Sequence, residues 1–405
     1  MTASSKLPPA VVATMSYSGL AVARSLGRRG IKVHAVAGSG NEVGMKSRYA
    51  TPVVIPHFIR SETDTVNALL RLSETIGEPA VLYCTGDAIV LPVIRNRETL
   101  QQHFKCLMPS CGIAESLVSK AGLADIISTY ELPGPRARIV ENGDEFRDAV
   151  EFVGPPALMK PVYSASWYRQ EIVDRVGIRK AFVSEDADAL RSWYDKVSDV
   201  DPRVILQEFI PGDDASLYYV CGYFNSNAEM EAVFAGRKVR LTPIHYGSAS
   251  FVESVYDEVL FEAAYNLLAP LGYRGLFGVE FKKDARDGIY KIIEVNVRWG
   301  LWDGLAARCG IDLAFLAYAR ETGIPYEFNP KYRSGVKWVS MRRDIDAFLD
   351  YRKEGSLSLR PWIRTLLGET EAAVFAWDDP RPSVDESAAI LREKFGSIRS
   401  KLHVK

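Results

Sequence analysis

The sequence predicts a mixed architecture, an open α/β domain followed by an α+β region and a small C-terminal helical appendage. Three observations carry this. The chain has 405 residues, too many for one typical core. It opens with an apolar strand, a helix and a second strand at residues 10–14, 20–29 and 31–37, the β-α-β start of a doubly wound sheet. Farther on, Gly278-Val279-Glu280-Phe281-Lys282 and residues 290–298 read as neighbouring strands around a turn at 284–288, with polar residues on one face.

Composition narrows the function classes. A hydrophobic content of 47% and a charged content of 25% are ordinary for a globular protein, and a net charge of −1 offers no field for nucleic acid or an anionic membrane. The five cysteines are scattered without a CxxC pair, which suits reduced thiols better than a metal site. No stretch reads as a signal peptide, and no apolar run approaches the roughly 18 residues of a membrane span. The expectation is a cytoplasmic protein with no nucleic-acid or membrane partner.

The first domain is expected over residues 1–112. A strand at 53–55, a helix at 63–76 and a strand at 80–84 continue the alternation. Thr85-Gly86-Asp87 then lies where open α/β sheets bind ligands. Gly19, Gly27 and Gly30 do not form GxGxxG, and no acidic residue ends the second strand, which counts against a dehydrogenase.

The second domain is expected over 113–325, with a lid subdomain at about 130–207 and a nucleotide- and metal-binding subdomain at about 208–325. A helix at 114–127 carries Lys120, and a short apolar strand, Ala157-Leu158-Met159, delivers Lys160 before Pro161. A lysine is ordinarily a solvated surface residue, but at the end of a buried strand its ammonium meets an anion. Val204-Ile205-Leu206-Gln207-Glu208-Phe209-Ile210 is an apolar strand turning sharply at Pro211-Gly212 into Asp213 and Asp214. Its backbone can read an adenine edge and a carboxylate beyond it can hold ribose hydroxyls, although Pro-Gly-Asp-Asp is also simply a good turn. After strands at 216–224 and 231–235, Arg237, Lys238 and Arg240 are either charges of a solvated edge strand or, with His245, a cradle for phosphate or carboxylate. A helix at 256–271 leads into the polar row.

In that row Glu280 projects from one strand, and Glu294, Asn296 and Arg298 follow at i, i+2 and i+4 on the other, so the three share a face. Alone this could be a solvated hairpin. The apolar partners Val279, Phe281, Ile292, Ile293, Val295 and Val297 point instead to a buried sheet, where a polar row needs partners. Carboxylates and a carboxamide are hard oxygen ligands suited to Mg²⁺ beside a phosphate, and Arg298 can hold an anionic acyl or phosphoryl oxygen. Trp167, Trp299 and Trp302 read as packing before pocket lining. Residues 326–405, with helices at 345–351 and 383–395, read as an appendage packed on the main body or a dimer contact.

Taken in order, Lys120, Ala157-Leu158-Met159-Lys160-Pro161, Gln207-Glu208-Phe209-Ile210-Pro211-Gly212, Gly278-Val279-Glu280 and Glu294-Val295-Asn296-Val297-Arg298 resemble the ATP-grasp superfamily over roughly residues 1–325. The closer similarity is to its carboxylate–amine ligases, the branch of D-aspartate ligase and carbamoyl-phosphate-synthase-like ATP domains. The resemblance implies an ATP-grasp fold behind a Rossmann-like pre-ATP-grasp domain, with ATP and Mg²⁺ as cofactors. Lys120 and Lys160 would contact phosphates, Gln207, Glu208, Phe209 and Ile210 would hold adenine, and Asp213 or Asp214 the ribose. Arg237 and Lys238 would add contacts to the nucleotide, and Glu280, Glu294 and Asn296 would bind metal. Arg298, Lys160 and Lys238 would be the catalytic cations. Two departures stand out: residue 119 is Ser, and the loop at 163–169 lacks the glycines that usually let backbone approach a phosphate, leaving Ser164, Ser166 and Lys180 as substitutes.

The chemistry so implied is phosphoryl transfer from ATP to a carboxylate, then acyl transfer to an amine, with ADP and phosphate released. A small-molecule kinase or a non-catalytic ATP-binding regulatory protein of the same fold stays open as the alternative. Homodimers are common among look-alikes.

Overall fold

Near-continuous apolar runs build the first of three sheets, because a parallel strand is covered on both faces. The computed structural model describes residues 7–162, 167, 169–177, 179 and 181–402. Strands β1 (Ala10–Ala13), β2 (Val33–Ala37), β3 (Thr51–Val54), β4 (Ala80–Cys84) and β5 (Phe104–Lys105) pair in parallel in the order β3-β2-β1-β4-β5. All of β1 and β4 is buried. Helices α1 (Tyr17–Gly27), α2 (Glu62–Ile76), α3 (Asp87–Arg95) and α4 (Arg97–Leu100) connect them. Strand order reverses between β1 and β4, and there the hydroxyls of Thr14 and Thr85 meet at 2.9 Å.

The single helix expected at 114–127 is two helices, α5 (Cys111–Val118) and α6 (Lys120–Thr129). Ser119 is extended between them, and its hydroxyl caps α6 by accepting the Gly122 N–H. A side chain at Gly122 would come within 2.5 Å of the Ser116 carbonyl, so the glycine lets the helices abut. The break sets Lys120 at the first position of α6.

The second sheet is antiparallel: β6 (Ala137–Val140), β7 (Ala157–Pro161), β8 (Phe182–Ser184) and β9 (Val204–Glu208), in the order β6-β9-β7-β8. With α7 (Gly143–Val153), α8 (Gln170–Val176) and α9 (Ala187–Val197) it encloses its own core, which includes Phe146, Met159, Trp167, Leu190 and Tyr194. This cluster is separate from the main hydrophobic core, so the unit closes its own apolar interior. Trp167 is a core residue here.

The third sheet carries the polar row. β10 (Leu217–Phe224), β11 (Met230–Thr242), β12 (Ser248–Val255), β13 (Gly275–Lys283), β14 (Tyr290–Asn296), β15 (Lys337–Val339) and β16 (Thr370–Ala372) run in the order β14-β13-β10-β11-β12-β15-β16. The short strand expected at 231–235 is thus a 13-residue strand, because β10 and β12 together pair its length. Helices α10 (Glu258–Leu268), α11 (Gly304–Cys309) and α12 (Leu313–Thr322) complete this part.

The C-terminal region is helical in α13 (Met341–Lys353), α14 (Leu359–Thr365) and α15 (Arg381–Leu402), yet β15 and β16 also extend the third sheet. They cover the β12 edge, which would otherwise stand open to pairing. Two buried carboxylates fasten the region. Asp344 accepts Arg240 Nε at 2.8 Å, and Asp379 accepts Arg24 Nε at 2.9 Å and the Ser47 hydroxyl at 2.6 Å. The first anchor reaches the third sheet and the second the N-terminal domain, so the region straps the two together. Among the described residues no helix is long and apolar enough to cross a membrane.

Candidate active site

Antiparallel register aligns the two acidic side chains. Glu280 on β13 stands directly opposite Glu294 on β14, and Gly278 opposite Asn296, so both carboxylates and the carboxamide share one face. Lys238 on β11 lies on that face too and donates from Nζ to Glu280 Oε2. Glu294 is open to the cleft in part, yet protein crowds it. Burial first, and the Glu280 charge second, raise its carboxyl above the usual range. Two carboxylates placed to repel one another are a site for a cation. Among the described residues no three His, Cys, Asp or Glu side chains converge as a metal cluster. A divalent ion here would therefore rest on Glu280, Glu294, Asn296 and oxygens of its phosphate ligand, a donor set that fits Mg²⁺.

Two lysines face this row from the other side of the cleft. Lys160, at the end of β7, donates to Gln207 Oε1 on the neighbouring β9, and Lys120 Nζ donates to the Pro161 carbonyl at 3.1 Å. Burial and the nearby Lys120 charge lower Lys160 to about 8, while Glu294 pulls the other way. Lys120 is also lowered by burial. Two ammonium groups this close and this desolvated are matched to an anion such as a polyphosphate. Gln207 thus serves Lys160 with its side chain.

The strand end beyond them leaves backbone free. Glu208 cannot offer its side chain, because Arg286 Nη2 at 2.7 Å and the Arg136 N–H at 3.1 Å hold it. Arg286 sits on the turn between β13 and β14 and also clasps Asp284, so the turn tip props the strand end. Phe209 N–H donates to the Pro156 carbonyl at 3.0 Å, whereas among the described residues Ile210 N–H meets no acceptor. Asp213 is exposed past the turn, with one oxygen accepting the Ser216 hydroxyl at 2.8 Å.

Several sequence expectations need correction. Asp214 does not face a ribose position: it accepts the His245 N–H at 2.8 Å and the Tyr351 hydroxyl, tying the turn to α13. Arg237 is adjacent to Lys238 and so points to the opposite face of β11, where it pairs with Glu253 at 2.8 Å. Arg240 is committed to Asp344, and His245 lies between Asp214 and Glu354, so the expected cationic cradle does not form. Trp299 and Trp302 are 3% exposed and pack in the core. The loop at 163–166 with Ser164 and Ser166, and Lys180, lie outside the described residues.

Arg298 follows β14 and reaches across to the N-terminal domain. Its Nε and Nη2 donate to the two oxygens of Asp87, the latter at 2.9 Å, and Nη1 donates to the Trp299 carbonyl at 2.8 Å. Burial works against the Arg298 charge, and the Asp87 carboxylate more than offsets it. The turn behind it rests on Asp303, whose Oδ2 accepts the Gly300 N–H at 2.6 Å and whose carboxyl burial raises to about 6. Beside it the Tyr219 hydroxyl fits only because residues 278 and 300 are glycines: a Cβ there would lie 1.8 and 2.6 Å from the phenolic oxygen. Tyr219 and Arg286 escaped the sequence reading because each acts through residues distant in the chain, and Asp303 because a turn carboxylate reads as solvated. Asp87 was flagged by the strand end it follows, without its partner.

These features match known proteins. No family model matches the sequence. The chain is 24% identical over 325 residues to a D-aspartate ligase of Enterococcus faecium (strain Aus0004), spanning 76% of each protein. The described architecture superposes on an L-amino acid ligase from Bacillus licheniformis with a TM-score of 0.59 at 15% identity, covering 81% of this chain and 78% of that one. The fold is the ATP-grasp fold. The chain also superposes on the ADP complex of an N5-carboxyaminoimidazole ribonucleotide synthetase, with a TM-score of 0.60, 16% identity and coverage of 81% and 80%. It is 25% identical over 209 residues to phosphoribosylamine–glycine ligase of Phenylobacterium zucineum (strain HLK1), covering 48% of this chain and 47% of that protein.

Proposed function

We infer that this ATP-dependent ligase activates a small carboxylate, of the amino-acid class, as an acyl phosphate and passes the acyl group to an amine. The observation that carries it is that Lys120 and Lys160 lie within electrostatic reach of Glu294, which strand register sets opposite Glu280. The amino-acid class is supported by the names of two relatives, D-aspartate ligase and L-amino acid ligase.

Each side chain then has a stated task. Ile210 N–H and the Glu208 carbonyl read the adenine edge, with Phe209 beside it, and Asp213 holds the ribose. Lys120 and Lys160 hold phosphate oxygens and keep their charge balanced by Glu294. Mg²⁺, when bound, would be held by Glu280, Glu294 and Asn296 and would offset phosphate charge. Lys238 neutralises Glu280 and borders the transferring group. Arg298 presents its planar fork to the acyl phosphate and to the oxyanion formed when the amine attacks. The β6–β9 unit closes over the nucleotide and excludes water, which protects the acyl phosphate from hydrolysis.

The test is release of ADP and phosphate from Mg·ATP against amino acids and small carboxylates, singly and paired with amines. Release that requires both an acid and an amine is the expected result. Release with an acid alone, leaving a stable phosphorylated product, would make the chain a kinase. Binding of ATP without release under any pairing would favour a regulatory protein.

The lowered Lys160 predicts a pH dependence. Below about 8 the ammonium is already charged and nucleotide affinity is flat; above that, binding must take up a proton and affinity falls, approaching tenfold per pH unit. Calorimetric titration of ADP between about pH 7 and 9.5, in buffers of different ionisation enthalpy, reads both effects. Lys160→Arg, which stays charged, should flatten the curve. A wild-type affinity independent of pH across that window would remove Lys160 from the phosphate site.

A further inference from the structure

We propose that Asp87 is the subsite for the ammonium group of the amine substrate, held by Arg298 until the acyl phosphate claims that guanidinium. The inference rests on the ligase reading above. Asp87 is the first residue of α3, at the C-terminal end of β4 and next to the point where strand order reverses. Its side chain is 77% exposed and pairs with Arg298, which is 19% exposed.

The argument is one of competition for a single edge. Arg298 spends Nε and Nη2 on Asp87 and Nη1 on the Trp299 carbonyl. The Nε–Nη2 edge is the bidentate fork that binds carboxylate or phosphate oxygens. An acyl phosphate and Asp87 cannot both occupy it. When the substrate anion takes the fork, Asp87 is left without a cation beside the carbonyl that is about to react. Two residues before it, the strand end is tied to β1, where the Thr85 hydroxyl donates to the Ala13 carbonyl at 2.8 Å. An exposed carboxylate with a vacated partner is complementary to a primary ammonium. A purely structural account is weak, because an ion pair this exposed adds little to stability.

The step balances. The ammonium gives one proton to the Asp87 carboxylate, and the freed nitrogen lone pair forms the C–N bond at the acyl carbon. The C–O bond to phosphate breaks, phosphate leaves with that electron pair, and the second nitrogen proton departs with it. Arg298 holds the oxyanion throughout. Loading and acceptance are thereby ordered: the ammonium subsite is complete only after the acyl phosphate has formed.

Asp87→Asn and hydroxylamine test this together, using the acid–amine pair that the release assay selects. Hydroxylamine is a neutral nucleophile near pH 7.5 and needs no carboxylate to hold it. In Asp87→Asn the KM for the amine should rise about tenfold or more, while hydroxamate formation at saturating hydroxylamine stays within about threefold of wild type. Asp87→Glu, which retains the charge, should recover part of the amine KM. An unchanged amine KM overturns the proposal. So does an equal fall of amide and hydroxamate formation, which would show that Asp87 acts only by placing Arg298. If wild type makes no hydroxamate with any acid, the ligase reading itself fails, and that result is distinguishable from either.

Discussion

Glu294→Ala is expected to lower kcat/KM by about 10³-fold or more while leaving the protein as stable as wild type, or more so. Glu294 stands opposite Glu280 on the cleft face, the position from which carboxylate oxygens reach a phosphate-bound cation. Removing it takes away transition-state stabilisation that no neighbour can supply: Asn296 is neutral, and Glu280 is bound to Lys238. The stability side follows from the raised carboxyl. An acid whose folded value lies above its unfolded one binds more protons when folded, so its ionisation costs stability as pH rises through that window. At neutral pH wild type bears this cost and the alanine variant does not. The melting difference should favour the variant at about pH 7, shrink as pH falls through the raised folded value, and vanish below about pH 4.3, where the carboxyl is protonated both folded and unfolded. Steady-state kinetics and melting curves at several pH values check it. A variant that loses folded protein in step with activity would show Glu294 to be a structural residue, and activity within tenfold of wild type would remove it from the site.

The second large effect is on stability alone. Asp344→Ala should destabilise the protein by about 3–5 kcal/mol, with nucleotide affinity of the remaining folded protein unchanged. Asp344 is fully buried and receives Arg240 through Nε at 2.8 Å and Nη2 at 2.9 Å, the Ser250 hydroxyl at 3.0 Å and Trp362 Nε1 at 2.8 Å. Deleting the carboxylate leaves the Arg240 guanidinium buried without a counter-charge and two further donors unmet. It also frees α13 from the third sheet. The paired replacement Arg240→Met/Asp344→Leu should recover most of the loss, since neither charge is then stranded. Urea unfolding of wild type and the two variants separates the cases. If the double variant is no better than Asp344→Ala, the site depends on something other than the charge pair.

Much of this was legible in the chain. Strand β4 was read to its boundaries because five apolar residues between turn signals leave little choice, whereas β13 and β14 were found by their period-two alternation with their ends displaced by up to three residues. The same alternation exposed Glu280, Glu294 and Asn296 as a row. Failures had local causes. The helix at 114–127 hid its break because Ser119 reads as tolerable inside a helix, although it is better as a cap. Arg237 was grouped with Lys238 by proximity in sequence, although neighbours on a strand face opposite ways.

By itself, then, the sequence determined the main elements of the first 325 residues, the parallel and antiparallel parts among them and the chemistry of the polar row, because propensity, period and residue type are local properties. Only the tertiary structure decided which charges remain available to a ligand. Asp214, Arg237 and Arg240 carry charges as suitable as those of Asp213 and Lys238. They are consumed by Tyr351, Glu253 and Asp344, one of them on an adjacent strand and two in a region more than 100 positions away. Arg298 met Asp87 across 211 positions for the same reason. An ion pair forms wherever folding leaves opposite charges within reach, and separation along the chain says nothing about that distance.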